Sequence, residues 1–293
     1  PSHPGRITKG AALAVQTKTL MARKRISEAL TSAMQVINSE VYDLSVPYNM
    51  IFREESENSK ESIFEIQALF DGVQNFGVTY ASRQGVRGSG SWDLGWGWNI
   101  PHPRLLEAFE ANDPRKDVTF LYSGQRNEPY GEVLPDNLPR PYWNKKVYTN
   151  PTLRTRYGSR FGDWFNVRLI RYADVVLLAA EAANEVGGNA NVDLALDLLE
   201  RVRARARGGN AAVLPAVTTR DQVALRNAIR HERQVELGME NERFYDLIRW
   251  DIDIETMRDA GHVNYQLKHR FFPIPQPEID KSAGVLVQNP DYR

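Results

Sequence analysis

The sequence predicts a mainly α-helical protein in which tetratricopeptide-like helix pairs form an α-superhelix, with a loop-rich ligand face and a few short strands. Three observations support this fold class. Apolar residues recur at helical spacing in two separate stretches, 8–38 and 167–206. Both stretches are rich in alanine, as helices that approach closely require. Between them, residues 41–165 contain many glycines and prolines and show little periodicity.

The N-terminal stretch is expected to fold as two helices, at 8–22 and 26–38. The basic segment Arg23-Lys24-Arg25 separates them as a polar elbow. Such a short connection joins antiparallel neighbours. A helix pair of about 34 residues has the length of one tetratricopeptide repeat.

The middle of the chain is predicted to be irregular with short elements. Alternating apolar residues indicate a strand at 63–67. Residues 71–97 are rich in Gly and Ser with interleaved aromatic residues, and long loops of this kind are more often functional than not. A short helix is expected at 103–112, and short strands are expected near 119–122 and 145–148.

Long helices are predicted again at 167–186, at 192–206 and at 220–238, the last continuing to about 250. The tail that follows is expected to be extended, because prolines interrupt it. No low-complexity linker divides the chain, so we predict a single domain over residues 1–293. Its parts are the helix pair 8–40, the loop-rich region 41–165, the C-terminal helices 166–250 and the extended tail 251–293.

Composition excludes several classes of protein. The chain has 37 Lys and Arg against 37 Asp and Glu, without the basic excess of a nucleic-acid-binding protein. It has no cysteine, which excludes disulfides, thiolate catalysis and Cys-based zinc sites within it. No apolar run approaches the roughly 20 residues of a membrane span.

The sequence offers no convincing catalytic group. Glu232 and Glu236 share a helix and could do acid–base work, but arginines within three or four residues favour ion pairs. His231-Glu232 begins like a zinc-protease motif, yet Val235 stands where the second histidine is required. We therefore predict no catalytic residue, no metal ligand and no cofactor, and expect that the protein is not an enzyme.

The aromatic residues of 71–97 are the candidate ligand contacts, because the flat C–H faces of sugars stack on aromatic rings while nearby polar groups fix their orientation. Ligand contact is favoured for Trp92 and Tyr80. For Trp96 and the adjacent Trp98, packing against the helical body is favoured. The candidate ligand-binding residues are Trp92, Tyr80, Phe76, Arg83, Asp93, Asn75 and Trp96.

The last 130 residues contain an ordered set of motifs. They read Arg171-Tyr172-Ala173-Asp174, Glu232-Arg233-Gln234-Val235-Glu236, Arg243-Phe244-Tyr245-Asp246, Pro273-Ile274-Pro275-Gln276-Pro277 and Gln288-Asn289-Pro290-Asp291-Tyr292. In this order and spacing they resemble the C-terminal half of the SusD/RagB family of outer-membrane nutrient-binding lipoproteins. Segments 5–12 and 57–67 extend the resemblance towards the start of the chain.

The resemblance implies non-catalytic binding of oligosaccharides at the cell surface for delivery to a SusC-like, TonB-dependent outer-membrane barrel. It implies a Bacteroidetes-type outer-leaflet lipoprotein that meets the membrane only through a lipid anchor. Peptide capture in the same type of uptake complex, or a repeat scaffold for protein–protein contact, remain alternatives. The family carries a signal peptide, a lipidated cysteine and earlier repeat pairs ahead of the part matched here. Ligand sites of the family use loops from both halves, so the resemblance leaves open whether this chain contains a complete or a partial ligand site.

Overall fold

A computed structural model describes residues 3–71 and 73–292. It divides the chain into two compact units, Pro1–Asn241 and Glu242–Arg293. The expectation that all 293 residues form one domain stays a prediction. The first unit contains the helix pairs and the loop-rich region, including residues 71–97.

The first unit opens with the predicted helix pair, α1 (Lys9–Ala22) and α2 (Ile26–Ile37). The Thr8 side chain caps α1 by accepting a hydrogen bond from the Ala11 N–H at 3.0 Å. The two helices pack against each other, and small side chains, among them Ala14 and Ala29, are buried where they meet. The helix pair that the alanine-rich periodicity predicted is therefore confirmed.

Residues 41–165 contain short helices and short paired strands, as predicted. One strand differs: the chain pairs at 142–144 rather than near 145–148, where Lys145–Val147 forms a 3-10 turn. The elements are α3 (Tyr48–Ile51), β1 (Ser62–Ile66), β2 (Leu69–Phe70), β3 (Asn75–Phe76), α4 (Tyr80–Gln84), α5 (Pro103–Ala108), α6 (Arg115–Thr119), β4 (Phe120–Tyr122), β5 (Arg126–Asn127), β6 (Glu132–Val133), β7 (Tyr142–Asn144) and α7 (Pro151–Tyr157). Neighbouring β2–β3 and β5–β6 form hairpins, and β4 pairs with β7.

The stretch predicted to open a long helix at 167 instead forms strand β8 (Val167–Arg171). It pairs antiparallel with β1, so that Ser62 lies opposite Arg171 and Ile66 opposite Val167. The helix prediction was wrong here because this partner is distant in sequence, and strand pairing then overrides local helical propensity.

Three helices follow, α8 (Tyr172–Val186), α9 (Asn189–Arg207) and α10 (Gln222–Glu236). Helix α8 packs against α2, α9 and α10, and it is buried along almost its whole length. Helix α10 does not continue to 250 as predicted. It ends at Glu236, and Met239 and Asn241 then adopt left-handed backbone conformations that a helix cannot include.

A ladder of buried charges joins α10 to the loop-rich region. Glu232 and Glu236 are four residues apart on one face of α10, and Glu240 lies just beyond the end of that helix. All three bind cations: Arg115 contacts Glu232 and Glu236, and Arg171 contacts Glu236 and Glu240. The ion-pair interpretation of Glu232 and Glu236 is confirmed.

The second unit contains α11 (Arg243–Arg249), α12 (Asp253–Asp259) and α13 (Gln276–Lys281). The prediction of an extended tail from 251 was therefore wrong in two places. Acidic residues in the first turn of α12 suit its positive end. In α13, Pro277 lies in the first turn, where a backbone N–H would have no partner within the helix, so a proline costs no hydrogen bond there.

Candidate functional site

The segment Leu94-Gly95-Trp96-Gly97-Trp98 runs alongside α4 and is fixed to it by backbone hydrogen bonds. The Trp96 N–H donates to the Ser82 carbonyl at 2.8 Å, and the Trp98 N–H donates to the Arg83 carbonyl at 2.9 Å. The Leu94 N–H donates to the Val86 carbonyl at 2.9 Å. These bonds fix the backbone of both tryptophans on a short helix rather than on a free loop.

Two glycines permit this close approach. A Cβ atom on Gly95 would lie within 3.0 Å of the Ser82 carbonyl oxygen, and one on Gly85 would lie equally close to the Leu94 carbonyl. Any side chain at either position would push the segment away from α4. Gly85 and Gly95 therefore allow the segment to lie against α4, which sets the positions of the two tryptophans.

The side chains of Trp96 and Trp98 point into solvent, with 52% and 55% of their surfaces exposed. Their ring centroids are 6.1 Å apart, with 45° between the ring planes. The Arg83 guanidinium carbon lies 5.7 Å from the centroid of Trp96 and 5.3 Å from that of Trp98, within cation–π range. Packing of these tryptophans into the body, which the sequence favoured, is not what the structure contains. We call Arg83, Trp96 and Trp98 the aromatic platform.

A set of polar side chains lies next to the platform. The Asn241 amide donates to the Tyr80 hydroxyl at 3.0 Å, and the Asn99 amide donates to Gln84 Oε1 at 2.6 Å. Tyr80 is half-buried, and this burial raises the pKa of its hydroxyl, which stays protonated at neutral pH. The group therefore offers both hydrogen-bond donors and acceptors beside exposed rings.

An open depression adjoins the platform and has a volume of about 590 Å³. Tyr80 and Arg83 line it, so the platform and the depression form one continuous surface. The depression is lined by Ile66, Gly77, Val78, Thr79, Tyr80, Arg83, Gln84 and Val167.

The candidate residues Asn75 and Phe76 lie on the β2–β3 hairpin, whose chain continues into the wall of the depression at Gly77. The Phe76 ring is 72% exposed. The Asn75 side chain accepts a hydrogen bond from the Gly77 N–H at 3.3 Å. Both residues thus stand at the border of the depression, while Gly72 of the same predicted loop lies outside the described residues.

Trp92 and Asp93 have other partners. Trp92 is half-buried and packs against a small core that includes Val86, Leu94 and Trp143. The Asp93 carboxylate forms an ion pair with Arg160 at 2.8 Å. The structure therefore brings Tyr80, Arg83 and Trp96 together, whereas Trp92 contributes to the packing beneath the loop.

Sequence reasoning missed Asn99 and Asn241 beside the platform. Asn241 is distant in sequence, and no local pattern connects it with Tyr80. For Trp98 a signal was present in the repeated Gly-Trp pair, but its direction depends on the hydrogen bonds to α4. Within residues 3–71 and 73–292 the structure contains no cluster of three potential metal ligands, and no helix there is long and apolar enough to span a membrane.

Comparison with known proteins identifies the family. The SusD family model matches residues 60–292, most of the chain. The chain belongs to the SusD family. Among curated relatives, SusD-like protein P2 of Formosa agariphila is 28% identical, over 97% of this chain and 60% of its own length. SusD-like protein P25 of the same organism is 29% identical, over 96% of this chain and 58% of its own length. This SusD-family chain thus spans at most 60% of these two relatives.

Solved structures share the fold. Surface glycan-binding protein A from Bacteroides thetaiotaomicron superposes with a TM-score of 0.76 at 25% identity, over 99% of this chain and 65% of that one. The same protein in complex with laminarihexaose gives 0.74 at 24% identity, over 98% and 65%. A laminarin binding SusD-like protein gives 0.77 at 24% identity, over 98% and 63%. The predicted mainly α, tetratricopeptide-like fold of the SusD family is confirmed.

Proposed function

We propose that this chain binds oligosaccharides at the aromatic platform and its adjoining depression, without chemical change to the ligand. The observation that carries this proposal is the pair Trp96 and Trp98, which the backbone fixes in solvent next to an open depression. Half-exposed rings whose backbone is fixed by hydrogen bonds are suited to stack on sugar faces. Glycan binding by structural neighbours, according to their names, supports the same class of ligand.

The residues around the platform have complementary roles in this proposal. Trp96 and Trp98 stack on sugar rings, while Tyr80 and Arg83 form hydrogen bonds with hydroxyl groups. Phe76 and Asn75 extend the contact surface along the hairpin. Trp92 supports the loop from beneath, and Asp93 fixes its position through Arg160.

The distribution of carboxylates supports a binding role rather than hydrolysis. A glycosidase requires two carboxyl groups that face the substrate. The residues that line the depression include none, and Glu232 and Glu236 are fully buried in ion pairs with arginines. These glutamates stabilise the fold and do not reach a ligand at the surface.

We further propose that the bound oligosaccharide passes to a TonB-dependent outer-membrane barrel and that the protein works at the outer face of the outer membrane. Family membership supports this proposal. Its test is co-expression of the protein with a SusC-like TonB-dependent barrel, followed by affinity purification from detergent-solubilised membranes. Co-purification in stoichiometric amount is the expected result, and recovery of the protein alone contradicts this part of the proposal.

Calorimetric titration of the purified chain with a panel of soluble oligosaccharides and of peptides tests the binding function. We expect saturable binding of at least one oligosaccharide and none of the peptides. Mass spectrometry after prolonged incubation should find the bound oligosaccharide unchanged. Binding of peptides alone favours peptide capture, and shortening of the glycan contradicts the non-catalytic role.

A further inference from the structure

The guanidinium of Arg83 lies at the aromatic platform. Its contacts are the faces of Trp96 and Trp98. In residues 3–71 and 73–292, no Asp or Glu oxygen lies within the 4.0 Å of an ion pair with Arg83. The same holds for Arg87, whose Cβ lies beside Gly97, between the two tryptophans in sequence. In the described part of the chain, the Arg83 guanidinium therefore places a positive charge at the aromatic platform without a carboxylate at ion-pair distance.

The acidic residues of the same loop are engaged elsewhere. Asp71 accepts hydrogen bonds from the N–H groups of Val73 and Gln74, at 2.9 and 2.7 Å, and so closes the hairpin turn. Asp93 pairs with Arg160 at 2.8 Å. The eight residues that line the depression include no acid. The loop therefore contains two acids and two arginines, and the charged residue that lines the depression is Arg83.

We propose that this surface selects acidic oligosaccharides, whose sugar rings carry a carboxylate or a sulfate group. The inference rests on the proposed function, because it names the ligand class of the same site. A guanidinium presents a planar set of N–H donors that matches a carboxylate or a sulfate. Stacking on two rings holds Arg83 in place before the ligand arrives, so little side-chain freedom is lost on binding. Sugar rings stack on the exposed tryptophans while the acidic substituent meets Arg83.

The test compares three probes in calorimetric titrations at low salt: laminarihexaose, which is neutral, an oligogalacturonate of similar length, and a sulfated oligosaccharide of similar length. We expect at least one acidic probe to bind about tenfold more tightly than laminarihexaose. A hydrogen-bonded pair between Arg83 and an acidic group on the sugar typically contributes enough affinity for this difference. The probe that binds more tightly distinguishes carboxylate from sulfate recognition. Added salt should weaken binding of the acidic probe and leave binding of the neutral one unchanged.

Substitution locates the effect. Arg83→Gln should weaken binding of the acidic probe about tenfold more than binding of laminarihexaose, and so remove the preference for the acidic probe. Arg23→Gln, which removes an equal charge from the exposed elbow between α1 and α2, is the matched control and should change neither affinity. Equal binding of all three probes, or acidic binding that Arg83→Gln leaves intact, contradicts the inference while the proposed function stands. If no oligosaccharide binds at all, the proposed function fails with it.

Discussion

Gly95 lies against Ser82 so closely that a methyl group on the glycine would come within 3.0 Å of the serine carbonyl oxygen. The Trp96 N–H donates to that same oxygen at 2.8 Å. Because Gly95 has no side chain, the backbone can approach Ser82 closely enough for Trp96 to form this bond, and the bond fixes the backbone that carries the Trp96 ring. The position of the aromatic platform follows from this contact.

Gly95→Ala is predicted to damage both the fold and the binding site. Inserting a methyl group into a filled position typically costs about 1–3 kcal/mol. The segment that carries Trp96 and Trp98 must move away from α4 to accept it. Urea denaturation should detect the lower free energy of unfolding, and calorimetry should detect weaker oligosaccharide binding. Ser91→Ala, an exposed change in the same loop, is the control and should alter neither stability nor binding. If Gly95→Ala also alters neither, the segment can accept a methyl group at this position and the prediction is wrong.

Glu236 is predicted to be among the most sensitive positions of the first unit. Its carboxylate contacts Arg115, Arg171 and Arg205 while fully buried. Glu236→Gln leaves those cations with an uncompensated buried charge, a change that typically costs about 3–5 kcal/mol. Asp197→Asn breaks the exposed Asp197–Arg201 pair and should cost less than about 1 kcal/mol. Urea denaturation at neutral pH compares the two, and equal losses would argue against the stabilising role of the buried ladder.

Glu236 should also contribute to acid sensitivity. Burial alone would raise the pKa of Glu236, but the facing arginines 205, 171 and 115 outweigh it and lower the pKa to about 2. In the unfolded chain a glutamate has a pKa of about 4.3. The folded value is depressed, so its contribution is fully present above about pH 4.3 and is lost as the pH falls towards 2. The difference in unfolding free energy between wild type and Glu236→Gln should therefore shrink between pH 4.5 and 2. A constant difference over that window contradicts the assignment.

Trp92→Ala and Trp96→Ala are predicted to affect different properties. Trp92 packs on the core that includes Val86 and Trp143, so its truncation should lower the melting temperature. Trp96 is half exposed, so its truncation should leave the melting temperature nearly unchanged and weaken oligosaccharide binding. Differential scanning calorimetry and titration of both variants test this separation. It fails if Trp96→Ala unfolds the protein or if Trp92→Ala alone abolishes binding.

The sequence predicted what depends on local periodicity. The α1–α2 pair and α8–α9 follow from apolar spacing within single stretches, and both appear in the structure. Strand β8 was missed because its partner β1 lies about 100 residues away, beyond any local pattern. The end of α10 was missed because Met239 and Asn241 adopt left-handed backbone conformations. Neither residue is a glycine, the residue type that would have indicated such a conformation in the sequence.

For the candidate site, the sequence located the loop but not the direction of its rings. Composition drew attention to the tryptophans of residues 71–98. Whether each ring points inward depends on hydrogen bonds to Ser82 and Arg83 and on the space that Gly85 and Gly95 leave. These are contacts between backbones, and residue type alone does not specify them. Trp96 is therefore more exposed than the sequence suggested, while Trp92 is half-buried against a small core.

The most direct test of the proposed binding site is a calorimetric titration of a variant that carries both Trp96→Ala and Trp98→Ala, with the best oligosaccharide found for the wild type. Each stacked ring typically contributes about 0.5–1.5 kcal/mol beyond its buried area, so loss of both should weaken binding by about tenfold or more. Phe272→Ala, an exposed aromatic change in the second unit, is the control and should bind as the wild type does. If the folded double variant retains wild-type affinity, the oligosaccharide does not bind at the aromatic platform.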